Sequence, residues 1–231
     1  DVELIGPALA SESYLNIGRV VDAARRSGCN ALHPGYGFLS ERPALARACA
    51  EAGIEFIGPS PEAIEQMGDK ITAVKLAEAA GVPRVPGSGA LASVAEAAEL
   101  ARAIGYPVLM KATAGGGGRG MRVVRDESEL PAAMESAASE AQAAFGDGTL
   151  YLEKFIEHAR HIEIQVLGDR FGTVVHLGER ECSTQRRHQK LIEESPSPVI
   201  TQQLREEMGR CAVQLARNVQ YVGAGTIEFL Y

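Results

Sequence analysis

Hydrophobic residues in the first third of the chain alternate between helical and extended spacing. Leu15, Val20 and Val21 can share one face of a helix, whereas "IEFIG" is a short apolar run of the kind that forms a strand. Alternation at this spacing predicts a parallel sheet, so we assign the fold to the α/β class. The predicted helix, short strand with its glycine-rich loop, second helix and second strand cover residues 13–27, 29–37, 41–53 and 54–58.

The pattern changes after "GVPRVPGSG", a segment rich in proline and glycine that is the best candidate for a domain boundary. The unit that follows reads as α-β-β-α-β, and Ser93 with Glu96 can form a capping box for its first helix. Beyond it, "HIEIQVLGD" and "GTVVHLGER" alternate as antiparallel strands do, which gives the second half α+β character. The expected parts are residues 1–84, 85–156 and 157–231.

Both ends of the sequence fall at unusual places for a whole protein. It begins with Asp1 rather than methionine, and it stops at Tyr231 inside the apolar run "TIEFLY", which reads as a buried strand. Domain boundaries normally fall in exposed linkers, and parallel sheets normally open with a strand. We therefore expect a fragment of a longer protein that also lacks a leading βαβ unit.

Composition narrows the function classes. The formal charge of -7 argues against a general nucleic-acid surface, and no apolar run approaches the roughly 20 residues of a membrane helix. No secretory signal opens the chain, and its four cysteines are scattered without a C-x-x-C pair. These features predict reduced structural thiols and a cytoplasmic protein that binds neither nucleic acid nor membrane.

A run of four glycines lies in "KATAGGGGRG", residues 111–120. Gly115, Gly117 and Gly120 satisfy the dinucleotide pattern G-x-G-x-x-G, but a strand signal, "MRVV", follows where that pattern needs a helix. The stretch therefore predicts a hairpin loop that can close over phosphates and offer backbone N–H groups, with Lys111 neutralising phosphate charge. A flexible surface turn is the alternative.

The second concentration of polar residues is "QRRHQK", residues 185–190, which is strongly basic in an acidic chain. Such a cluster suits a small anion or a triphosphate, although a solvated loop neutralised by Glu193 and Glu194 would look the same. Glu228, on the last strand, can be a Mg²⁺ ligand or a solvent-facing residue. His161 and Glu163 share one strand face, which fits nucleotide contact or surface display. Zinc signatures are absent.

Taken together, these stretches resemble the biotin carboxylase family, within the ATP-grasp fold. The matching segments occur in the family's order over nearly the whole chain. They are "HPGYGFLSE", "FIGPSP", "MGDK", "GYPVLMKATAGGGGRGMRVV", "EKFIEHARHIEIQVLGD", "ERECSTQRRHQKLIEESPSP" and "GAGTIEFL". The resemblance implies a partial Rossmann-like N-terminal domain, a small lid domain and a truncated C-terminal domain.

The resemblance also implies a reaction. ATP activates bicarbonate as carboxyphosphate, and the carboxyl group passes to biotin on a biotin carboxyl carrier protein or domain. A carboxyltransferase component then uses it, and the full-length protein would be a homo-oligomer in the cytoplasm, or in the mitochondrial matrix of a eukaryote. The ion would be Mg²⁺ or Mn²⁺.

Matching by position gives each candidate residue an expected role. Lys70 and Lys111 would contact the ATP phosphates, and Lys190 would lie by bicarbonate or phosphate as the catalytic candidate. Glu228 would bind the metal. The residues expected in the lid loop or beside the nucleotide are Gly117 and Gly118 in the lid, Glu153, Lys154 and Ile156 at the adenine, His161 at the ribose, and His188.

Two departures from the family pattern bear on activity. Ala114 stands where many relatives have another glycine, which would stiffen the lid slightly. The chain also ends before the family's second metal-binding glutamate and the arginine that serves bicarbonate and biotin. We therefore expect little carboxylation by these 231 residues alone. Two alternatives remain open: another ATP-grasp ligase that activates a different carboxylate, and a non-enzymatic nucleotide-binding module.

Overall fold

The computed structural model describes residues 2–68, 70–79, 81–114, 120–186 and 189–231, without the side chains of residues 70 and 71. The chain divides into two compact units, which we describe separately. The first contains residues up to 68 together with 166–175 and 216–225, and the second contains the remainder. No helix in the described ranges has both the length and the apolar character needed to cross a membrane.

In the first unit, two short parallel strands lie among helices. The elements are α1 (Ile17–Arg26), β1 (Ala31–Leu32), α2 (Pro43–Glu51), β2 (Glu55–Phe56) and α3 (Pro61–Gly68). Strands β1 and β2 pair in parallel, with Ala31 opposite Glu55, as the alternating pattern predicted. Helix α1 starts later than expected because the Asn16 side chain accepts the Arg19 N–H and so caps it there. The core of the unit is Val21, Leu39, Leu45, Cys49 and Ile54.

The second unit begins with helix α4 (Lys70–Ala79) and then forms the α-β-β-α-β arrangement expected from the sequence. Its elements are α5 (Val94–Ile104), β3 (Val108–Ala112), β4 (Arg122–Val124), α6 (Leu130–Phe145) and β5 (Leu150–Lys154). The strands form an antiparallel sheet in the order β4-β3-β5. Alanines of α5 and α6 pack against this sheet, since Ala97, Ala101 and Ala137 are fully buried beside Val108 and Leu152.

The capping box forms at the start of α5. Ser93 Oγ accepts the Glu96 N–H at 3.2 Å, and the Glu96 carboxylate accepts the N–H of Ala92 at 2.7 Å. The carboxylate thus reaches the residue before the cap rather than the cap itself. Two backbone donors at the helix start are satisfied in this way.

The glycine-rich segment joins β3 to β4, and the two strands are antiparallel with Met110 opposite Arg122. Strands β3 and β4 thus form a hairpin, so a strand follows the segment where a dinucleotide-binding turn would be followed by a helix. Gly120, the last glycine of the segment, has φ +68°, and a Cβ there would lie 3.1 Å from the Ala112 Cβ. Glycine is therefore favoured at this position on both conformational and steric grounds.

A four-stranded sheet forms from the last part of the chain. Its strands are β6 (His161–Gly168), β7 (Val174–Arg186), β8 (Gln189–Glu194) and β9 (Gly223–Leu230), and helix α7 (Gln202–Asn218) precedes β9. The strand order is β8-β7-β6-β9, so the final strand lies beside β6 rather than beside its predecessor in sequence. This order brings four separate segments of sequence side by side.

Helix α7 is attached to β7 by a buried ionic contact. The Glu179 side chain is only 1% exposed and receives hydrogen bonds from Arg205 Nε at 2.6 Å and Arg205 Nη2 at 2.7 Å. The Ser197 N–H adds a third donor at 3.1 Å. The hydrogen bonds from Arg205 hold the pKa of Glu179 below its ordinary value, against the opposing effect of burial.

Candidate active site

Lys190 on β8 lies between two carboxylates from other strands of the sheet. Its Nζ donates to Glu163 on β6 and, at 3.0 Å, to Glu228 Oε1 on β9. The Glu163 side chain is 3% exposed, whereas that of Glu228 is 53% exposed. One cation is thus shared by a buried carboxylate and an accessible one.

Arg180 on β7 supplies the second cation for Glu163. Its Nε donates to Glu163 Oε1 at 2.6 Å, and its Nη1 donates to Gln165 Oε1 at 2.9 Å. Burial would raise the pKa of Glu163, but the hydrogen bonds from Lys190 and Arg180 outweigh it and leave this pKa below its ordinary value. Glu163 is therefore a stable anion that fixes the position of both cations.

The same environment keeps Lys190 charged. Burial alone would lower the pKa of Lys190, but its hydrogen bonds with Glu163 and Glu228 raise the pKa above its ordinary value. Near neutral pH the ammonium group is therefore a positive charge. Such a charge is suited to stabilising negative charge that develops on a bicarbonate or phosphoryl oxygen.

His161 on β6 joins this cluster next to Glu228. Its Nε2 lies 3.2 Å from Glu228 Oε1, and its Nδ1 lies 2.8 Å from Gln185 Nε2 on β7. Donor atoms of His161, Glu163 and Glu228 all lie within 4.8 Å of one another. The cluster thus draws at least one residue from each of the four strands.

A magnesium ion fits only one member of this cluster. Mg²⁺ prefers oxygen ligands, and Glu163 already neutralises two cations, so the exposed carboxylate of Glu228 is the group best placed to bind it. One Glu228 oxygen contacts Lys190, and the other makes no hydrogen bond or ion pair among the described residues. Magnesium would therefore be held at Glu228, with further oxygens supplied from outside the described residues or by substrate.

Lys111 and Glu153 form a second polar group, on the sheet of the α-β-β-α-β unit. Lys111 on β3 donates to the Glu153 carboxylate on β5, and its Nζ lies 5.9 Å from the centre of the Tyr151 ring. Burial, reinforced by Glu153, raises the pKa of Tyr151, so this ring remains a neutral phenol. Lys111 is the cation expected to contact phosphates, and in this arrangement its charge is already paired with Glu153.

Lys154 and Ile156 lie at the end of β5. Lys154 Nζ donates to the carbonyl oxygens of Gly105 and Tyr106, each at 2.9 Å, and its backbone N–H donates to the Pro86 carbonyl. Its side chain therefore braces the turn between α5 and β3. Ile156 is half-buried just after the strand. The expectation that these residues border an adenine stays a prediction.

Four other candidate site residues lie partly or wholly outside the part of the chain that the structure describes. Lys70 is the first residue of α4, and its side chain is outside the described part of the structure. Gly117, Gly118 and His188 lie outside the described residues altogether.

Sequence reasoning missed two residues of the cluster, Arg180 and Gln185. Both lie on β7, where the pairing with β8 shifts register between Glu181 and Thr184 and again between Thr184 and Gln185. A bulge changes which face a side chain occupies, so simple alternation along this strand does not show where these side chains lie. Gln185 is the first residue of "QRRHQK" and Arg180 lies shortly before it, and this position in sequence was the only available signal for either residue.

Cys182 lies beside the cluster but is chemically quiet. It is fully buried, and burial, with a further contribution from Glu163, raises the pKa of its thiol to about 11. Burial also raises the pKa of Cys49, and Cys211 is buried as well, which leaves Cys29 as the exposed cysteine among the four in the chain. Because burial raises their pKa, the thiols of Cys49 and Cys182 are poor nucleophiles near neutral pH.

We expect a disulfide reagent such as DTNB to modify one thiol rapidly in the folded protein at pH 8, and all four of these thiols after denaturation. The Cys29→Ser variant should lose the rapid phase. Equally rapid labelling of Cys182, identified by peptide mass, would contradict the burial described above.

Two known protein families match different parts of the chain. Residues 1–64 match the family described as biotin carboxylase, N-terminal domain, and residues 69–231 match the carbamoyl-phosphate synthase L chain, ATP binding domain. The fold and the matched domains define a protein of the ATP-grasp class. The chain belongs to the biotin carboxylase family within that class.

Individual relatives agree closely with the chain. A biotin carboxylase of Nostoc sp. is 56% identical over 98% of this chain and 51% of its own length. The biotin carboxylase-beta-gamma-ATP complex from Campylobacter jejuni superposes with a TM-score of 0.94 at 55% identity, covering 98% of this chain and 51% of that one.

A third relative was solved with ligands bound. The biotin carboxylase domain of 2-oxoglutarate carboxylase from Hydrogenobacter thermophilus, in complex with MgADP, ADP and bicarbonate, gives a TM-score of 0.90 at 52% identity. The match covers 100% of this chain and 50% of that one. The chain thus spans about half the length of each of these three relatives.

Proposed function

We propose that the full-length protein uses ATP to activate bicarbonate as carboxyphosphate and transfers the carboxyl group to biotin on a carrier protein. The observation that carries the proposal is the position of Lys190, held as a fixed cation between Glu163 and Glu228. The Hydrogenobacter thermophilus relative, solved with MgADP and bicarbonate, supports the same substrates.

In this proposal the residues of the chain bind and orient the reactants. Lys190 stabilises charge on bicarbonate or on the transferred phosphoryl group, while Glu163, which also accepts hydrogen bonds from Arg180, holds Lys190 in place. Lys111 and Lys70 contact ATP phosphates, and Gly117 and Gly118 contribute backbone N–H groups from the hairpin loop. Magnesium bound at Glu228 would neutralise charge on the phosphate oxygens.

The remaining nucleotide contacts and partners are part of the same proposal. Glu153, Lys154 and Ile156 border the adenine, His161 lies at the ribose and His188 lies by the nucleotide.

The partners are a biotin carboxyl carrier protein or domain and a carboxyltransferase component, and the protein acts as a cytoplasmic homo-oligomer. The mitochondrial alternative gains no support from the relatives described above. The three-part division at residues 84 and 156 also remains a proposal.

We expect ATP hydrolysis by the full-length protein to depend on bicarbonate and to increase when free biotin is added. The measurement is phosphate release in carbon-dioxide-free buffer, with and without added bicarbonate, and with acetate or other carboxylates as matched controls. ATP hydrolysis that responds to another carboxylate and not to bicarbonate would favour a different ATP-grasp ligase. Nucleotide binding without any turnover would favour a non-enzymatic module.

A further inference from the structure

A buried carboxylate, Glu181 on β7, lies on the face of the four-stranded sheet opposite the cluster around Lys190. Its neighbours Arg180 and Cys182 both lie beside the cluster, so alternation along the strand places Glu181 on the other face. Glu179, two residues earlier, contacts helix α7 on that face. The Glu181 side chain is 6% exposed, and it is therefore not available to a substrate bound at Lys190.

Glu181 is held by three groups from different segments of the chain. Ser183 Oγ donates to its Oε1, Ser197 Oγ donates to its Oε2 at 2.9 Å, and Arg160 Nη1 lies 3.5 Å from Oε1. Burial would raise the pKa of Glu181, but these hydrogen bonds and the charge of Arg160 outweigh it and leave the pKa below its ordinary value. Glu181 is thus an anion that joins β7 to the residue before β6 and to the segment between β8 and α7.

Two of these groups extend the network to β6 and β9. The N–H of His161, the first residue of β6, donates to Ser183 Oγ at 2.8 Å. The backbone of Arg160 exchanges two hydrogen bonds with Tyr231, at 2.7 and 2.9 Å, directly after β9 ends. Strands β6 and β9 carry the two carboxylates that contact Lys190, so the network reaches both sides of the cluster.

The network also spans an irregularity in the pairing of β7 with β8. Strand β7 has one more residue than the facing part of β8 between Glu181 and Thr184, and β8 has one more than β7 between Thr184 and Gln185. The two shifts cancel, so Lys190 lies opposite Gln185. A bulge interrupts the ladder of backbone hydrogen bonds, and Ser183 lies within the first one. The contact between Ser183 and Glu181 therefore braces β7 where its pairing beside Lys190 is interrupted.

Stability alone does not require a carboxylate at this position. Burying a charge is costly, and replacing buried ionic groups with apolar residues of similar volume is often neutral or stabilising. An anion that accepts from separate segments, however, favours one relative position of those segments, and an apolar side chain has no such directional contacts. The contacts of Glu181 thus point to control of geometry.

We propose that Glu181 is a positioning residue that fixes the relative position of β6, β7 and β9 behind the active site and so keeps Lys190 between its two carboxylates. Glu181 does not touch substrate and acts through Ser183 and Arg160. The catalytic consequence rests on the proposed function, whereas the contacts that position the strands are independent of it.

The first test separates turnover from nucleotide binding. In the Glu181→Leu variant of the full-length protein we expect kcat for bicarbonate-dependent ATP hydrolysis to fall roughly 10- to 100-fold, as for a small misplacement of a catalytic group. The KM for MgATP should change less than about fivefold, because Lys111 lies on a separate sheet that the network does not reach. Glu181→Gln can still accept from Ser183 and can donate to Ser197, so it should retain kcat within about threefold of wild type.

Arg205→Leu is the matched control for a purely structural effect. It breaks the buried ionic contact of Glu179 on the same face of β7 but leaves the contacts of Ser183 and Arg160 in place. Below the melting temperature of every variant, its kcat should stay within about twofold of wild type. Equal losses of kcat in Arg205→Leu and Glu181→Leu would overturn the proposal, as would a near-normal kcat in Glu181→Leu or a raised KM at constant kcat.

The second test reads the network without turnover. The backbone amide signal of His161, in full-length protein labelled with ¹⁵N-histidine, is assigned by its loss in His161→Gln. We expect this signal to shift in Glu181→Leu and to stay unchanged in Arg205→Leu. An unchanged signal in Glu181→Leu would overturn the proposal even if kcat fell. Because this measurement needs no turnover, failure of the proposed function would be recognised separately, as a wild-type protein without bicarbonate-dependent hydrolysis.

A second variant covers the case in which Glu181→Leu does not fold. Ser183→Ala removes the hydroxyl that links Glu181 to the His161 N–H and leaves the buried carboxylate with Ser197. We expect its kcat to fall at least about fivefold at nearly constant KM for MgATP. A folded Ser183→Ala protein with wild-type kcat would contradict the proposed link between the network and Lys190.

Discussion

Replacing Lys190 with methionine is expected to lower kcat for bicarbonate-dependent ATP hydrolysis by at least about 100-fold in the full-length protein. This is the size of effect that follows when an enzyme loses one preorganised group that stabilises the transition state. Methionine keeps much of the aliphatic volume of lysine but removes the charge that Glu163 and Glu228 share. Developing negative charge on bicarbonate or phosphate would then meet two carboxylates without the intervening cation. Steady-state phosphate release measures the effect.

Two controls separate catalysis from stability in this experiment. Lys75→Met makes the same change on the exposed face of α4 and should leave kcat within about twofold of the wild-type value, as surface substitutions usually do. The circular dichroism of Lys190→Met should remain that of a folded protein, since Arg180 still neutralises Glu163. A Lys190→Met protein that is folded and hydrolyses ATP at near-normal kcat would rule out the role proposed for Lys190.

The glycine-rich segment illustrates what sequence reasoning could achieve. Its glycines satisfy a dinucleotide-binding pattern, but the apolar run after them has strand character, and the structure confirms a hairpin between β3 and β4. The N-terminal parallel pair and the capping box of Ser93 were likewise predictable. In each case the signal is local, because the residues that determine the structure are close together in sequence.

The Lys190 cluster could be predicted only in part. Alternation along β6 correctly puts His161 and Glu163 on one face, and Glu228 was a candidate because a carboxylate interrupts an apolar strand. Their meeting depends on the strand order β8-β7-β6-β9, which places the last strand next to β6. Pairing between distant segments leaves no periodic signal in the sequence, so these contacts required the structure.

The ionic contact between Arg205 and Glu179 shows the same limit, and it has a large expected effect on stability. We expect Arg205→Leu to lower the melting temperature of the chain by roughly 6–12 °C, because it leaves the Glu179 carboxylate buried without its cation. Arg102→Leu is the matched control. Its pair with Glu127 is exposed on both sides, so we expect a fall of less than about 3 °C.

The dependence on pH distinguishes loss of the ion pair from loss of packing. Arg205 holds the pKa of Glu179 below its ordinary value of 4.5, so the pair stabilises the folded protein above about pH 4.5 and loses this effect as the pH falls through the folded-state pKa. The difference in melting temperature between wild type and Arg205→Leu should therefore be full at pH 7 and shrink below pH 4.5. Calorimetry at several pH values measures it. A difference that stays constant down to pH 3 would mean that Arg205 stabilises the protein through its aliphatic packing against β7 and not through its charge.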